Sequence, residues 1–199
     1  MKPQIFHTLF VISFLSFMAI RAYYHRRAAR EGGRMNVRDS RASIILRLLF
    51  GIPLAGLIVA YLIRPEILGW AEVAFPIWVY SVGAALVIIS FPLLIWTHRS
   101  LGANFNTILG TRDRHTLVTH GPYRWVRHPM YSGLFLFLLG TLLLTGNLLI
   151  GGFLLVGFLV TIGTRVAKEE SILEEAYGEE YRAYKGRTGR FWPRLRAAT

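Results

Sequence analysis

The chain has 199 residues, 53% of them hydrophobic and only 17% charged, yet its formal net charge is +12. A soluble domain carries about 25% charged residues, so the composition excludes an ordinary soluble globule and points to an integral membrane protein with its cations gathered on one side. The arginines sit in loops between apolar runs, which excludes a nucleic-acid binder. The lack of cysteine excludes a disulfide framework, a thiolate nucleophile and a Cys-ligated metal.

The first apolar run covers residues 5–24. Only Lys2 precedes it, whereas Arg21 lies at its far end and Arg26, Arg27 and Arg30 follow. A signal peptide has the reverse layout, with its positive region first. The segment therefore reads as a retained anchor with its N-terminus outside.

Further runs cover residues 44–63, 73–96, 131–145 and 148–164. A spanning helix needs about 20 apolar residues, and the first three runs reach that length. The last two are shorter and are separated by the turn Thr145-Gly146-Asn147. They read as a tight helical hairpin that crosses the bilayer; a shallow re-entrant pair, or helices extending into the flanking polar sequence, would give the same pattern. Gly140, Gly151, Gly152, Gly157 and Gly163 would allow close helix contacts in this hairpin.

Cation placement then sets the topology. Arg26–Arg41, Arg99–Arg127 and Arg165–Arg196 form three basic clusters, while the opposite side holds Lys2, Arg64, Glu66 and Glu72. Five crossings with the N-terminus outside and the C-terminus inside place every cluster in the cytoplasm. The fold class expected is an all-α integral membrane protein of about five transmembrane helices with a cytoplasmic C-terminal helical lid. It forms a single domain over residues 1–199, with a three-helix anchor region at 1–97 and a catalytic region at 98–199.

The lid expectation comes from the tail. Residues 168–178 and 179–186 read as two amphipathic helices divided at Gly178. Ile172, Leu173, Ala176 and Tyr177 share a face of the first, and Tyr181 and Tyr184 stand i, i+3 on the second.

The connection between the third and fourth runs carries the chemistry: His115-Thr-Leu-Val-Thr-His-Gly-Pro-Tyr123-Arg-Trp-Val-Arg127-His128-Pro129-Met-Tyr131-Ser-Gly133. Pro129 opens the fourth helix, because proline suits a first helical turn and restricts the residue before it. Arg127 and His128 then sit at a helix N-terminus, which attracts an anion. Arg165 and Glu169 form an i, i+4 pair where the fifth run leaves the membrane, with Glu170 adjacent. Facing the His115–Tyr131 loop, they suit a ligand with both cationic and anionic groups. No G-x-G-x-x-G, H-E-x-x-H or G-x-S-x-G pattern is present, so a Rossmann enzyme, a metal site and a serine hydrolase are not expected.

The pattern His115-Thr-Leu-Val-x-x-Gly-x-Tyr-x-x-x-Arg-His-Pro-x-Tyr-x-Gly133, followed by Arg165-x-x-x-Glu-Glu170 and Tyr177-Gly-Glu-Glu-Tyr-x-x-Tyr184, resembles the isoprenylcysteine carboxyl methyltransferases. Leu101-Gly-Ala-Asn104-Phe-Asn106 is similar to that family as well, and the likeness runs over residues 98–193. The resemblance implies S-adenosyl-L-methionine at the cytoplasmic mouth, contacted by His115, Thr116, Leu117, Val118, Tyr123, His128, Pro129, Met130, Tyr131 and Glu169. It also implies that Arg165 faces the methyl acceptor, a prenylated cysteine or similar lipidic acid arriving from the bilayer. A carboxylate is already an anion at pH 7 and needs a cation rather than a base. An amine acceptor would need a general base. Phospholipid N-methylation is the alternative, and a membrane NADPH-dependent reductase or an anionic-lipid binder stand further off.

Overall fold

The computed structural model describes residues 4–31, 35–37, 41–105, 110–112 and 116–194. Five α-helices follow one another among them: α1 (Gln4–Glu31), α2 (Arg41–Ile63), α3 (Ile77–Leu101), α4 (Pro129–Thr145) and α5 (Phe153–Arg187). Each apolar run read from the sequence has most of its length in one of these helices. To the all-α expectation the structure adds a small ribbon, in which β1 (Met35–Val37) pairs antiparallel with β2 (Gly110–Arg112). It ties the loop after α1 to the loop after α3.

Among the described residues, three helices are long and apolar enough to cross a membrane: α1, α3 with its short continuation, and the helix that includes α5. A fourth crossing is counted if the end of α2 and the 3-10 segment Pro65–Ala71, bent by 115° against each other, form one span. The 17 residues of α4 reach about 26 Å at 1.5 Å per residue, short of a ~30 Å hydrocarbon core. Large apolar side chains stay exposed on the outside of the bundle, with Ile88 at 64% and Val160 at 63%. Apolar surface of that kind is stable against lipid tails and not against water.

The fifth apolar run does extend into polar sequence. It begins as a π-helical turn, Leu148–Gly152, and continues as α5 to Arg187, broken at Gly178 by φ 52° and ψ −122°. The expected division of the tail at Gly178 is thus present as a kink between two helical pieces.

Phe6, Phe10, Ile58, Tyr61, Tyr80, Val87, Leu94, Phe137 and Leu144 form the core where α1, α2, α3 and α4 meet. The tightest pairing is α3 with α4. A Cβ on Gly140 would lie 2.9 Å from both the Gly83 carbonyl oxygen and the Val87 nitrogen, so only glycine lets these backbones touch. Gly140 therefore serves the α3 contact rather than the last hairpin. In that hairpin only Gly151 is used, where a Cβ would sit 2.8 Å from Leu142 Cβ; Gly157 and Gly163 face open space.

The hairpin turn explains how α4 and α5 are joined so closely. Gly146 adopts the left-handed conformation (φ 63°) that ends α4. Asn147, fully buried, then accepts from the backbone N–H groups of Leu149 (3.1 Å) and Ile150 (3.0 Å) and donates to the Leu68 carbonyl (2.8 Å). One amide side chain thereby caps a helix and fixes the segment after α2. His7 Nε2, 3.0 Å from the Tyr61 carbonyl, ties the start of α1 to the same end of the bundle. The other end is left to the chemistry-bearing loop and tail.

Candidate active site at the start of α4

Gly121 begins a single 3-10 turn, Gly121–Arg124, with φ 60°. It sits against α3, where a Cβ would come within 3.3 Å of Trp96 Nε1 and 3.1 Å of Ser100 Cβ. His128 precedes α4 and Pro129 fills its first position, as the sequence pattern requires. The tail then crosses this entry: Arg127 N donates to the Gly189 carbonyl (2.8 Å), His128 N to Arg190 (3.0 Å), and Gly189 N back to Trp125 (3.1 Å). Tyr184, buried as its stripe predicts, donates its hydroxyl to the Tyr123 carbonyl at 2.7 Å.

Beneath this strap lies a buried carboxylate. Glu170, 3% exposed, accepts from Arg127 Nε at 3.0 Å and from Arg190 Nη2 at 2.9 Å, with His128 Nε2 at 3.3 Å and Lys185 Nζ at 3.7 Å. Burial alone would raise its carboxyl, but hydrogen bonds from His128, Arg190 and Arg127 outweigh that and hold it well below the usual carboxylate range. Arg127 also donates to the carbonyls of Lys185 (3.1 Å) and Thr188 (2.5 Å). It is therefore committed to the tail, and the anion drawn to this helix N-terminus is the chain's own Glu170.

One residue earlier on α5, Glu169 faces a different group. Tyr131 donates its hydroxyl to Glu169 Oε2 at 2.8 Å, and the same phenol also hydrogen-bonds with Arg165. Arg165 and Glu169 thus converge on one tyrosine from successive turns of α5. Nearby Tyr123 is buried, which pushes its phenol well above the ordinary value, with the Glu169 charge adding to the shift. It stays a neutral hydroxyl.

The structure accordingly brings Tyr123, His128, Pro129, Met130, Tyr131, Arg165 and Glu169 to one end of the bundle. His128 and Tyr131 lie with ring centroids 5.6 Å apart, and Met130 is half-buried. Thr116 is held at the end of α3, where Asn104 accepts from its N–H (3.0 Å) and donates to its hydroxyl (3.1 Å). Leu117 and Val118 follow it, half-buried. His115 lies outside the described residues. Sequence reasoning did not single out the Asn104 clamp or Arg190, and it left Glu170 as a neighbour of Glu169. The signal was the helical period: adjacent acids on α5 point about 100° apart, so they cannot share a partner.

A family model described as phospholipid methyltransferase matches residues 78–180. The chain is 34% identical over 120 residues to protein-S-isoprenylcysteine O-methyltransferase of Rattus norvegicus, covering 59% of this chain and 42% of the rat protein. It is 29% identical over 161 residues to a probable protein-S-isoprenylcysteine O-methyltransferase of Oryza sativa subsp. indica, covering 79% of this chain and 81% of that one. It thus spans less than half the length of the rat relative. Among solved structures, the eukaryotic intramembrane Ras methyltransferase ICMT (isoprenylcysteine carboxyl methyltransferase) aligns with a TM-score of 0.56 at 21% identity, over 92% of this chain and 66% of that one. At that identity the likeness is one of fold.

Proposed function

Because the chain belongs to the phospholipid methyltransferase family, we propose that it is an integral membrane methyltransferase that esterifies the carboxylate of an S-isoprenylated cysteine or a similar lipidic acid. In this reading α1 to α5 all cross the bilayer, with the N-terminus outside and the arginine-rich loops, the site and the C-terminus in the cytoplasm. The segment after Gly178 is the lid. The observation that carries the reading is the 2.8 Å bond from Tyr131 to Glu169, which joins the start of α4 to α5 beside Arg165.

When bound, S-adenosyl-L-methionine supplies an electrophilic methyl group on a cationic sulfur. The residues fit such a molecule. Glu169 offers a carboxylate to a sulfonium or to ribose hydroxyls, and the Tyr131 bond fixes its rotamer. Tyr123 and Tyr131 present aromatic faces, which attract a cation, and the His128 ring lies beside that of Tyr131. Leu117, Val118, Pro129 and Met130 are apolar wall, and Thr116 is positioned by Asn104; His115 belongs to this set by the resemblance alone. Arg165 holds the acceptor carboxylate, since a guanidinium grips a carboxylate through two parallel hydrogen bonds. No general base is required, and alignment with local electrostatics supplies the catalysis.

The alternative is methylation of a phospholipid amine, after which the matching family is described. The two separate in one experiment. Purified protein in lipid receives methyl-labelled donor with N-acetyl-S-farnesylcysteine or with phosphatidylethanolamine. Base-labile label on the farnesylcysteine is expected. Base-stable label on the ethanolamine lipid would establish the second reading, and label on neither would overturn both.

A further inference from the structure

Around the strap three indoles stand exposed: Trp192 at 65%, Trp96 at 45% and Trp125 at 43%. The backbone holds them together. The Trp96 and Trp125 rings meet edge to face with centroids 5.8 Å apart, which pins the loop before α4 to the last turns of α3. Gly189 N donates to the Trp125 carbonyl at 3.1 Å, and the Trp192 carbonyl packs so closely on Gly189 that a Cβ there would overlap it. Phe191 O accepts from the Ser132 hydroxyl on α4 at 2.7 Å. The folded-back tail therefore carries Trp192 next to the backbone of the Trp125 loop.

A guanidinium accompanies each indole. Arg124 lies with its guanidinium carbon 4.6 Å from the Trp125 centroid, Arg99 stands one turn after Trp96 on α3, and Arg194 follows Trp192 on the tail; all three are exposed. The ion pairs of this end use Arg127, Arg182, Lys185 and Arg190. Among the described residues Arg99, Arg124 and Arg194 pair with no carboxylate. A stacked guanidinium spends its flat face on the ring and keeps its N–H edge free, and that edge matches two phosphate oxygens. Indoles this exposed are unfavourable in water. They prefer the boundary of the bilayer, where the ring meets lipid and the N–H stays wet. Trp96 belongs to the apolar stretch Ile77–Asn104, which is long enough to span, so this end of the bundle meets that boundary. A cationic surface there complements an anionic phospholipid headgroup.

We infer that Trp96, Trp125 and Trp192 with Arg99, Arg124 and Arg194 form a docking surface for the headgroup of an anionic phospholipid, and that the docked lipid holds the strap closed over the start of α4. Arg99 and Arg124 belong to the body of the bundle, whereas Trp192 and Arg194 belong to the tail. A headgroup bound to both loses its tail contacts when the strap lifts, so it favours the closed state by the ratio of its affinities. One arginine at an anionic surface contributes about fivefold in binding, so opening should become about fivefold rarer. This surface is independent of which acceptor is methylated.

The test measures hydrogen exchange at the Arg127, His128 and Gly189 amides in nanodiscs of phosphatidylcholine, alone or with one third phosphatidylglycerol. Three proteins are compared: wild type, Arg124→Gln/Arg194→Gln, and Arg26→Gln/Arg30→Gln, which removes the same charge from α1 outside this surface. Phosphatidylglycerol is expected to slow exchange about fivefold in wild type and in the α1 variant. In Arg124→Gln/Arg194→Gln at least half of that slowing, on a logarithmic scale, should be gone. Slowing below threefold in wild type overturns the inference. So does slowing that survives in Arg124→Gln/Arg194→Gln or is lost equally in the α1 variant, since either result reports the general charge of the bilayer and not this surface. Inorganic phosphate added to phosphatidylcholine discs is expected to change nothing, and protection by it would overturn the assignment to a lipid headgroup. Trp192→Ala carries the same comparison where Arg124→Gln/Arg194→Gln does not elute as a folded monodisperse protein.

Discussion

Replacing Glu170 by alanine should unfasten the tail from the start of α4. The Glu170 and Arg127 side chains are 4% and 10% exposed, and removing one partner of a buried ion pair costs about 3–5 kcal/mol. Arg127 would keep the carbonyls of Lys185 and Thr188, and Arg190, 48% exposed, would return to water. The lower end, about 3 kcal/mol, is therefore expected. At about 1.4 kcal/mol per tenfold, the strap would open roughly 100-fold more often. Hydrogen exchange reads this directly, because the amides of Arg127, His128 and Gly189 donate across the strap and exchange only when it lifts. Exchange at those three positions should accelerate by roughly two orders of magnitude, while core amides of α3 stay unchanged. An acceleration below about threefold would refute the assignment of Glu170 as the fastener.

The same carboxylate predicts a pH dependence. Its folded-state value is held below its unfolded one, so its contribution is complete above the unfolded carboxylate range, near 4.3, and is lost as pH falls below it. Exchange of the strap amides, corrected for intrinsic rate, should rise between about pH 5 and pH 3 in wild type and stay flat in Glu170→Gln. In the helix contact, Gly140→Ala places a Cβ 2.9 Å from the Gly83 carbonyl and should destabilise by about 1–3 kcal/mol, read as a lowered thermal midpoint in detergent. Gly157→Ala, which meets nothing within 4 Å, should be neutral or gain up to about 1 kcal/mol of helix propensity; equal effects would contradict the packing account. Asn147→Ala removes the partner of two buried N–H groups and of the Leu68 carbonyl. A loss of about 2–4 kcal/mol is expected, and an unchanged midpoint would show that the cap is dispensable.

Most of the architecture was legible because apolar runs and turn residues act locally. Thr145-Gly146-Asn147 reads as a turn from composition, and Gly178 as a break, and both govern the backbone as read. The meeting of Tyr131 with Glu169 was legible only as an approach of two segments, since 38 residues separate them. That the helix N-terminus at Arg127 attracts an anion was legible, but sequence does not reveal that a tail 43 residues away brings that anion as Glu170. Glycine usage was misread in part. Small residues mark close contacts, but which helix approaches depends on packing, and Gly83 on α3 proved the partner of Gly140.

In the proposed function Glu169 holds the methyl donor where α4 meets α5. Equilibrium binding of labelled S-adenosylhomocysteine to wild type and Glu169→Ala in nanodiscs tests it most directly. Saturable binding by wild type, weakened at least tenfold in Glu169→Ala with the strap amides still protected, is the predicted result. Equal affinity in the two proteins, or no binding by wild type, would contradict it.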